Sequence, residues 1–215
     1  APRQLLVDIS ELVQSDSKSK IHHAVRSVLQ ELLLRPPPRF RVEPVHATPN
    51  QGYRYARRFT LRFLNCPESA LEDDPIEFRA GDLFLGLGLQ PEVVLAQQAF
   101  YQHLRNYGVQ VRFVVYDLPP ITLPDAFPEE AAKQHQAWLK TVAETDGAIC
   151  ISRAGAEELT DWLKANGPAR CRPFKIDWFP PGAEADGKAP SSDDMPRLTW
   201  RQSTQLLLEK ILPLI

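Results

Sequence analysis

The sequence predicts an α/β fold, a Rossmann-like parallel sheet with helices on both faces and a C-terminal amphipathic helix docked on it. Three observations carry that expectation. Short apolar runs alternate with longer segments of helical periodicity from Leu5 to Phe179. The central runs, residues 83–87, 109–116 and 148–151, are apolar at successive positions, as strands covered on both faces must be. The composition, 43% hydrophobic and 24% charged over 215 residues, belongs to a globular chain long enough for one sizeable core.

Residues 5–9 are the first predicted strand. A loop over 15–22 carrying Lys18 and Lys20 leads into a helix, where Val25, Val28, Leu29, Leu32 and Leu33 keep helical spacing until Pro36, Pro37 and Pro38 stop it. Residues 40–45 read as the second strand. Residues 53–64 read as a helix with Tyr55, Phe59 and Phe63 on one stripe and Arg54, Arg58 and Arg62 on the next. Strand 83–87 precedes a helix marked by Ala96, Ala99, Phe100, His103, Leu104 and Tyr107, with Gly108 placed to cap it. After strand 109–116 and a loop to 127, Ala131, His135, Trp138, Leu139 and Val142 share one helix face. Strand 148–151 follows, then a helix with Leu159, Trp162 and Leu163 that ends before Gly167 and Pro168. Residues 174–179 form one further strand. From 180 to 194 the chain turns to Pro, Gly, Ser, Ala and Asp without periodicity, the composition of a linker. Beyond it Thr199 and Gln202 have capping-box spacing, and Trp200, Leu207, Leu208 and Ile211 make an apolar stripe that must dock on the preceding core. The expected organisation is a domain over 1–180, a linker over 181–194 and a returning helix over 195–215.

Several function classes lack their signatures. The net charge of -2 hides no basic block, so nucleic acid is not an expected partner. Cys66, Cys150 and Cys171 are odd in number and lack C-x-x-C spacing, which argues against a disulfide framework and fits a reducing cytosol. No apolar run reaches roughly 18 residues and no signal-like start is present, so a cytoplasmic location is expected. Gly86 and Gly88 follow a strand, but Pro91 stands where a dinucleotide fingerprint needs its third Gly. P-loop and G-x-S-x-G motifs are absent. His22 and His23 are adjacent, point about 100° apart on a helix and cannot form a zinc pair. No metal or other cofactor is expected.

Ligands of a parallel sheet bind where strands end. There the loop over 15–22 offers helix N–H groups with Lys18 and Lys20 to an anionic or hydroxyl-rich ligand, or is a solvated surface loop. Asp117 ends the most apolar strand before Pro119 and Pro120, placed to orient a sugar hydroxyl or to cap a turn. Ser152 and Arg153 share that edge and that ambiguity. Arg54, Arg57, Arg58 and Arg62 could meet phosphate or an anionic membrane, or be a solvated face.

The strings VDISELVQ, SKIHHAVRSVL, FVVYDLPPITLP, DGAICISRAGAEEL and WFPPGAE are similar to the N-terminal domain of glycosyltransferase family 4 enzymes, especially those of bacterial surface-polysaccharide assembly. The resemblance covers residues 5 to about 184, and LTWRQSTQLLLEKIL looks like that family's crossover helix. It implies retaining transfer of a sugar from a nucleotide-sugar donor to a glycan or lipid-linked acceptor, without an obligatory metal; the arginine stripe adds a possible peripheral contact with the inner face of the plasma membrane. The donor-binding second domain and its phosphate-binding residues have no counterpart, so the chain is expected to be an inactive fragment trimmed to the acceptor side. Carried over by position, the acceptor-side residues are Asp117 as the catalytic candidate with Tyr116 beside it, and Ser19, Lys20, His22 and Ser152. Two departures stand out: Ser19, Lys20, Ile21 and His23 replace a common Thr-Gly-Ile with a following Arg, and Gly88 replaces an aspartate. The alternative from another class is a non-catalytic α/β module that docks a protein through its arginine stripe and sheet edge.

Overall fold

Seven strands, β1 (Arg3–Asp8), β2 (Phe40–Thr48), β3 (Gln51–Tyr55), β4 (Leu83–Gly86), β5 (Gln110–Val115), β6 (Gly147–Cys150) and β7 (Lys175–Trp178), join in one sheet ordered β3-β2-β1-β4-β5-β6-β7. All neighbours run parallel except the β2–β3 hairpin. This computed structural model describes residues 1–15, 17–116, 118, 123–170, 172–183 and 198–213. The sheet is Rossmann-like, as the alternation of strand and helix requires. From β1 the chain winds outward one way to β3, then crosses back to β4 and winds the other way. The crevice between the ends of β1 and β4 is therefore the switch point at which such sheets bind ligands.

Among the described residues, eight α-helices flank the sheet: α1 (Ser10–Gln14), α2 (Lys20–Leu34), α3 (Arg57–Phe63), α4 (Pro91–Ala96), α5 (Gln98–Asn106), α6 (Glu129–Ala143), α7 (Arg153–Asn166) and α8 (Trp200–Ile211). The period of two sends Leu6, Phe84 and Phe113 into one apolar cluster with Tyr101, Leu104, Trp138 and Leu159. It sends Leu5, Val7, Leu85 and Val114 into the other, with Val25, Leu29 and Leu32 of α2 and Leu207 and Ile211 of α8. Leu5, Leu6 and Val7 are all 0% exposed, which is why the sequence shows an unbroken apolar run and not alternation.

The last helix packs against α2 on the second face. Its N-terminus carries a complete capping box, with Gln202 N donating to Thr199 Oγ1 and Thr199 N to Gln202 Oε1. Ser203 Oγ donates to Pro180 O at 2.6 Å, and the Arg112 guanidinium donates to Lys210 O at 2.7 Å near the other end. Burial holds the Arg112 pKa below its ordinary value, against the raising influence of Asp146 and Asp177.

Residues 53–64 correct one expectation. They are the end of β3 followed by α3, not one helix. Tyr53 and Tyr55, two apart, both point inward at 4% and 5% exposure, and Arg54 between them points away. Arg54 Nη1 donates to Asp73 O, whereas Arg58 and Arg62 are exposed on α3, so the arginine stripe is split between two elements. The helix around 96–107 is likewise two, α4 and α5, joined at Gln97, whose Nε2 donates to Thr48 O and Gln51 O of the β2–β3 hairpin.

Candidate functional site

At the end of β1, Asp8 is 0% exposed. Its Oδ1 accepts from the Ser10 N–H at 2.9 Å and from Ser10 Oγ at 2.5 Å, and its Oδ2 accepts from the Tyr53 hydroxyl at 2.5 Å. The Tyr53 and Tyr101 hydroxyls are 2.6 Å apart. Since Tyr53 gives its proton to Asp8, Tyr101 donates to Tyr53. Burial raises the Asp8 pKa even though these donors favour the carboxylate. Burial first, and the Asp8 charge second, hold both tyrosines well above their ordinary value. No ligand can reach this carboxyl, so its work is positional: it fixes α1 against the hairpin, helped by Ala47 N donating to Ser10 Oγ.

α1 presents Glu11 to the loop that follows. Glu11 N donates to Gln90 Oε1 just after β4, and Glu11 Oε1 lies 3.2 Å from His22 Nε2. Ser19 is the N-cap of α2, its Oγ accepting from His22 N at 3.2 Å. His22 itself is 3% exposed, and its Nδ1 accepts from Ser17 N at 3.0 Å.

A cavity of about 650 Å³ opens at this carboxyl edge of the sheet, on the α2 and α8 side. One wall is Ser17, Lys18, Ser19 and Lys20, all exposed. The other is aromatic: His23, Tyr116, Phe179 and Trp200, with the His23 and Trp200 rings edge to face at 5.9 Å. Tyr116 turns its hydroxyl away to donate to Leu87 O, and burial raises its pKa further. Gly182 lies so close to α8 that an added Cβ would stand 2.6 Å from Trp200 N and Cα. The lysine wall and the α2 N-terminus favour an anion, and the aromatic wall favours the apolar face of a ring.

The cavity thus brings together Ser19, Lys20 and Tyr116 of the expected residues. His22 stands behind the loop and does not line it. Ser152 caps α7, its Oγ accepting from Gly155 N, while its neighbour Ile151 reaches the cavity. Arg54, Arg58 and Arg62 do not line it. Asp117 and Cys171 lie outside the described residues. The sequence reading missed Asp8, Tyr53 and Tyr101 as a network, and His23, Phe179, Gly182 and Trp200 as cavity walls. Among the described residues no three His, Cys, Asp or Glu side chains converge on a possible ion, and no helix is long and apolar enough to cross a membrane.

No protein-family model matches the chain. Three Escherichia coli proteins, each named serotype-specific mannosyltransferase WbdA, are similar to it: one 33% identical over 197 residues, the others 32% and 31% identical over 193. Each similarity covers 88% of this chain and 23% of the relative. The chain therefore spans under a quarter of the mannosyltransferases it matches, and it is similar to that one segment of them across nearly its whole length.

Proposed function

We propose that this chain forms the acceptor-side half of the active-site cleft of a glycosyltransferase, one that moves a sugar from a nucleotide-sugar donor to a glycan or lipid-linked acceptor in bacterial surface-polysaccharide assembly. The cavity at the carboxyl edge of a Rossmann-like sheet, lined by residues that follow β1, β5, β6 and β7, carries the reading. The likeness to a segment of mannosyltransferases supports it and makes mannose the first sugar to test. Within this reading the chain is a family 4, retaining enzyme's N-terminal domain with its crossover helix, and the donor is held mainly by a second domain that these residues do not include and that belongs between Glu184 and Met195. Alone, the chain is inactive.

Transfer of this kind depends on positioning the reactants and stabilising the departing phosphate. Lys18, Lys20 and the α2 N-terminus supply positive potential on one wall of the cleft. His23 and Trp200 supply a surface on which a sugar ring can lie. Asp117 follows the cavity-lining Tyr116 in sequence and is assigned the orientation of the attacking hydroxyl. Arg58 and Arg62, exposed on α3, are assigned a peripheral contact with anionic lipid at the cytoplasmic face.

The test is a chimera. This chain replaces the matching segment of one WbdA relative, and mannosyl transfer from nucleotide-activated mannose to a mannose oligosaccharide is measured. Transfer by the chimera and none by the isolated chain is expected. A folded chimera that transfers nothing, beside an active parent, overturns the reading.

A further inference from the structure

We propose that His22 is a positioning residue, whose imidazole, locked as one tautomer between Ser17 and Glu11, sets the cavity-lining loop 17–20 from behind. Three bonds close on themselves in this loop. Ser17 N donates to His22 Nδ1 at 3.0 Å, Ser19 N donates to Ser17 Oγ at 3.1 Å, and His22 N donates to Ser19 Oγ at 3.2 Å. Each link engages a backbone N–H near the helix start, where no partner within the helix exists. The cycle therefore fixes the course of the chain through the residues that form the lysine wall.

A backbone N–H can only donate, so His22 Nδ1 carries no proton and the ring hydrogen sits on Nε2. That nitrogen lies 3.2 Å from Glu11 Oε1, and the carboxylate charge favours a proton on the same side. Glu11 is anchored by its own N–H to Gln90 Oε1, and its neighbour Ser10 by the buried Asp8. The loop is thus tied through one imidazole to the ends of β1 and β4, the two strands that flank the switch point. Nδ1 is engaged by Ser17, Nε2 faces Glu11 and the ring does not line the cavity, so His22 acts through the loop and not on a ligand.

That the loop serves sugar transfer rests on the function proposed above; that His22 sets the loop does not. Amide hydrogen exchange over residues 17–22 is measured in the unaltered chain, His22→Asn and His22→Gln. The Asn amide oxygen can stand where Nδ1 stands, while the longer Gln places its amide nearer Nε2. His22→Gln is expected to speed Ser17 exchange by about three- to tenfold, the worth of one neutral hydrogen bond, and His22→Asn by about twofold or less. Equal rates in the two variants, or an unprotected Ser17 amide in the unaltered chain, overturn the proposal. If His22→Gln does not fold, Glu11→Ala tests the same lock from a part-exposed side chain; unchanged Ser17 exchange there also overturns it. In the chimera, His22→Gln should raise KM more than it lowers kcat, with His22→Asn restoring it. A chimera inactive with the unaltered chain counts against the proposed function, while the exchange rates still decide the role of His22.

Discussion

Replacing Tyr53 with Phe removes one buried oxygen and takes a hydrogen-bond partner from each of two neighbours. The Asp8 carboxylate loses a donor at 2.5 Å, and the Tyr101 hydroxyl loses its acceptor at 2.6 Å. A hydrogen bond to a buried charge contributes about 1.5–3 kcal/mol, and an orphaned hydroxyl adds about 1 kcal/mol, so a loss of about 3 kcal/mol is expected. For a chain of this size that lowers Tm by about 6–12 °C. Thermal melts followed by circular dichroism at neutral pH measure it, and a cycle with Asp8→Asn should show coupling above about 1 kcal/mol. The pH dependence has a definite sign. Burial raises the Asp8 pKa in the folded state, so on acidification the folded protein takes up this proton before the unfolded one does. This group's contribution to stability therefore grows as pH falls through the raised value and is lost as pH rises through it. A protonated Asp8 depends less on the Tyr53 donor, so the deficit of Tyr53→Phe should narrow as pH falls through the raised value. A deficit under about 0.5 kcal/mol at neutral pH, or one that widens in acid, refutes the network as described.

Leu207, 0% exposed where α8 meets the second apolar cluster, should cost about 2–4 kcal/mol when cut to Ala, seen as a lower midpoint in urea unfolding. Gly182→Ala should displace the start of α8, because its Cβ would stand 2.6 Å from Trp200 backbone atoms. A loss of about 1–3 kcal/mol and a shift in tryptophan fluorescence are expected. Cys150 is buried in β6 and burial pushes its thiol up to about 12, whereas Cys66 is exposed. Alkylation of the folded chain followed by peptide mapping should therefore modify Cys66 and spare Cys150 until the chain is unfolded.

The parallel sheet was legible because its central strands lie between two helical layers and so read as unbroken apolar runs. The Thr199–Gln202 capping box was legible because it depends on spacing alone. Tyr53 and Tyr55 were not. Tyr55, Phe59 and Phe63 fit helical spacing, while Tyr53 and Tyr55 fit a period of two over only five strand residues. Long-range partners decide between them: Tyr55 Oη donates to Gln4 Oε1 at 2.8 Å and Tyr53 reaches Asp8. α1 is five residues long, too short to show any period. Asp8 looked like the polar end of a strand, and its burial follows from the hairpin and α5 closing over it. Lys18, Ser19 and Lys20 were legible as a loop after a strand. Trp200 was legible only as part of a docking stripe, because its place beside His23 depends on α8 returning to α2.

Ala183 N donates to Leu198 O at 2.8 Å and Ala183 bridges Thr199 in parallel, so residues 183 and 198 are held side by side. Whatever joins those two residues begins and ends at one fixed point. The entropy of closing a flexible connection grows only with the logarithm of its length, roughly 0.6 kcal/mol for each doubling. With both ends already clasped, the length of the joining segment is therefore close to a free variable for this fold. Sequences of very different size can be spliced between 183 and 198 beside the mouth of the cavity, while the sheet and its returning helix keep their contacts.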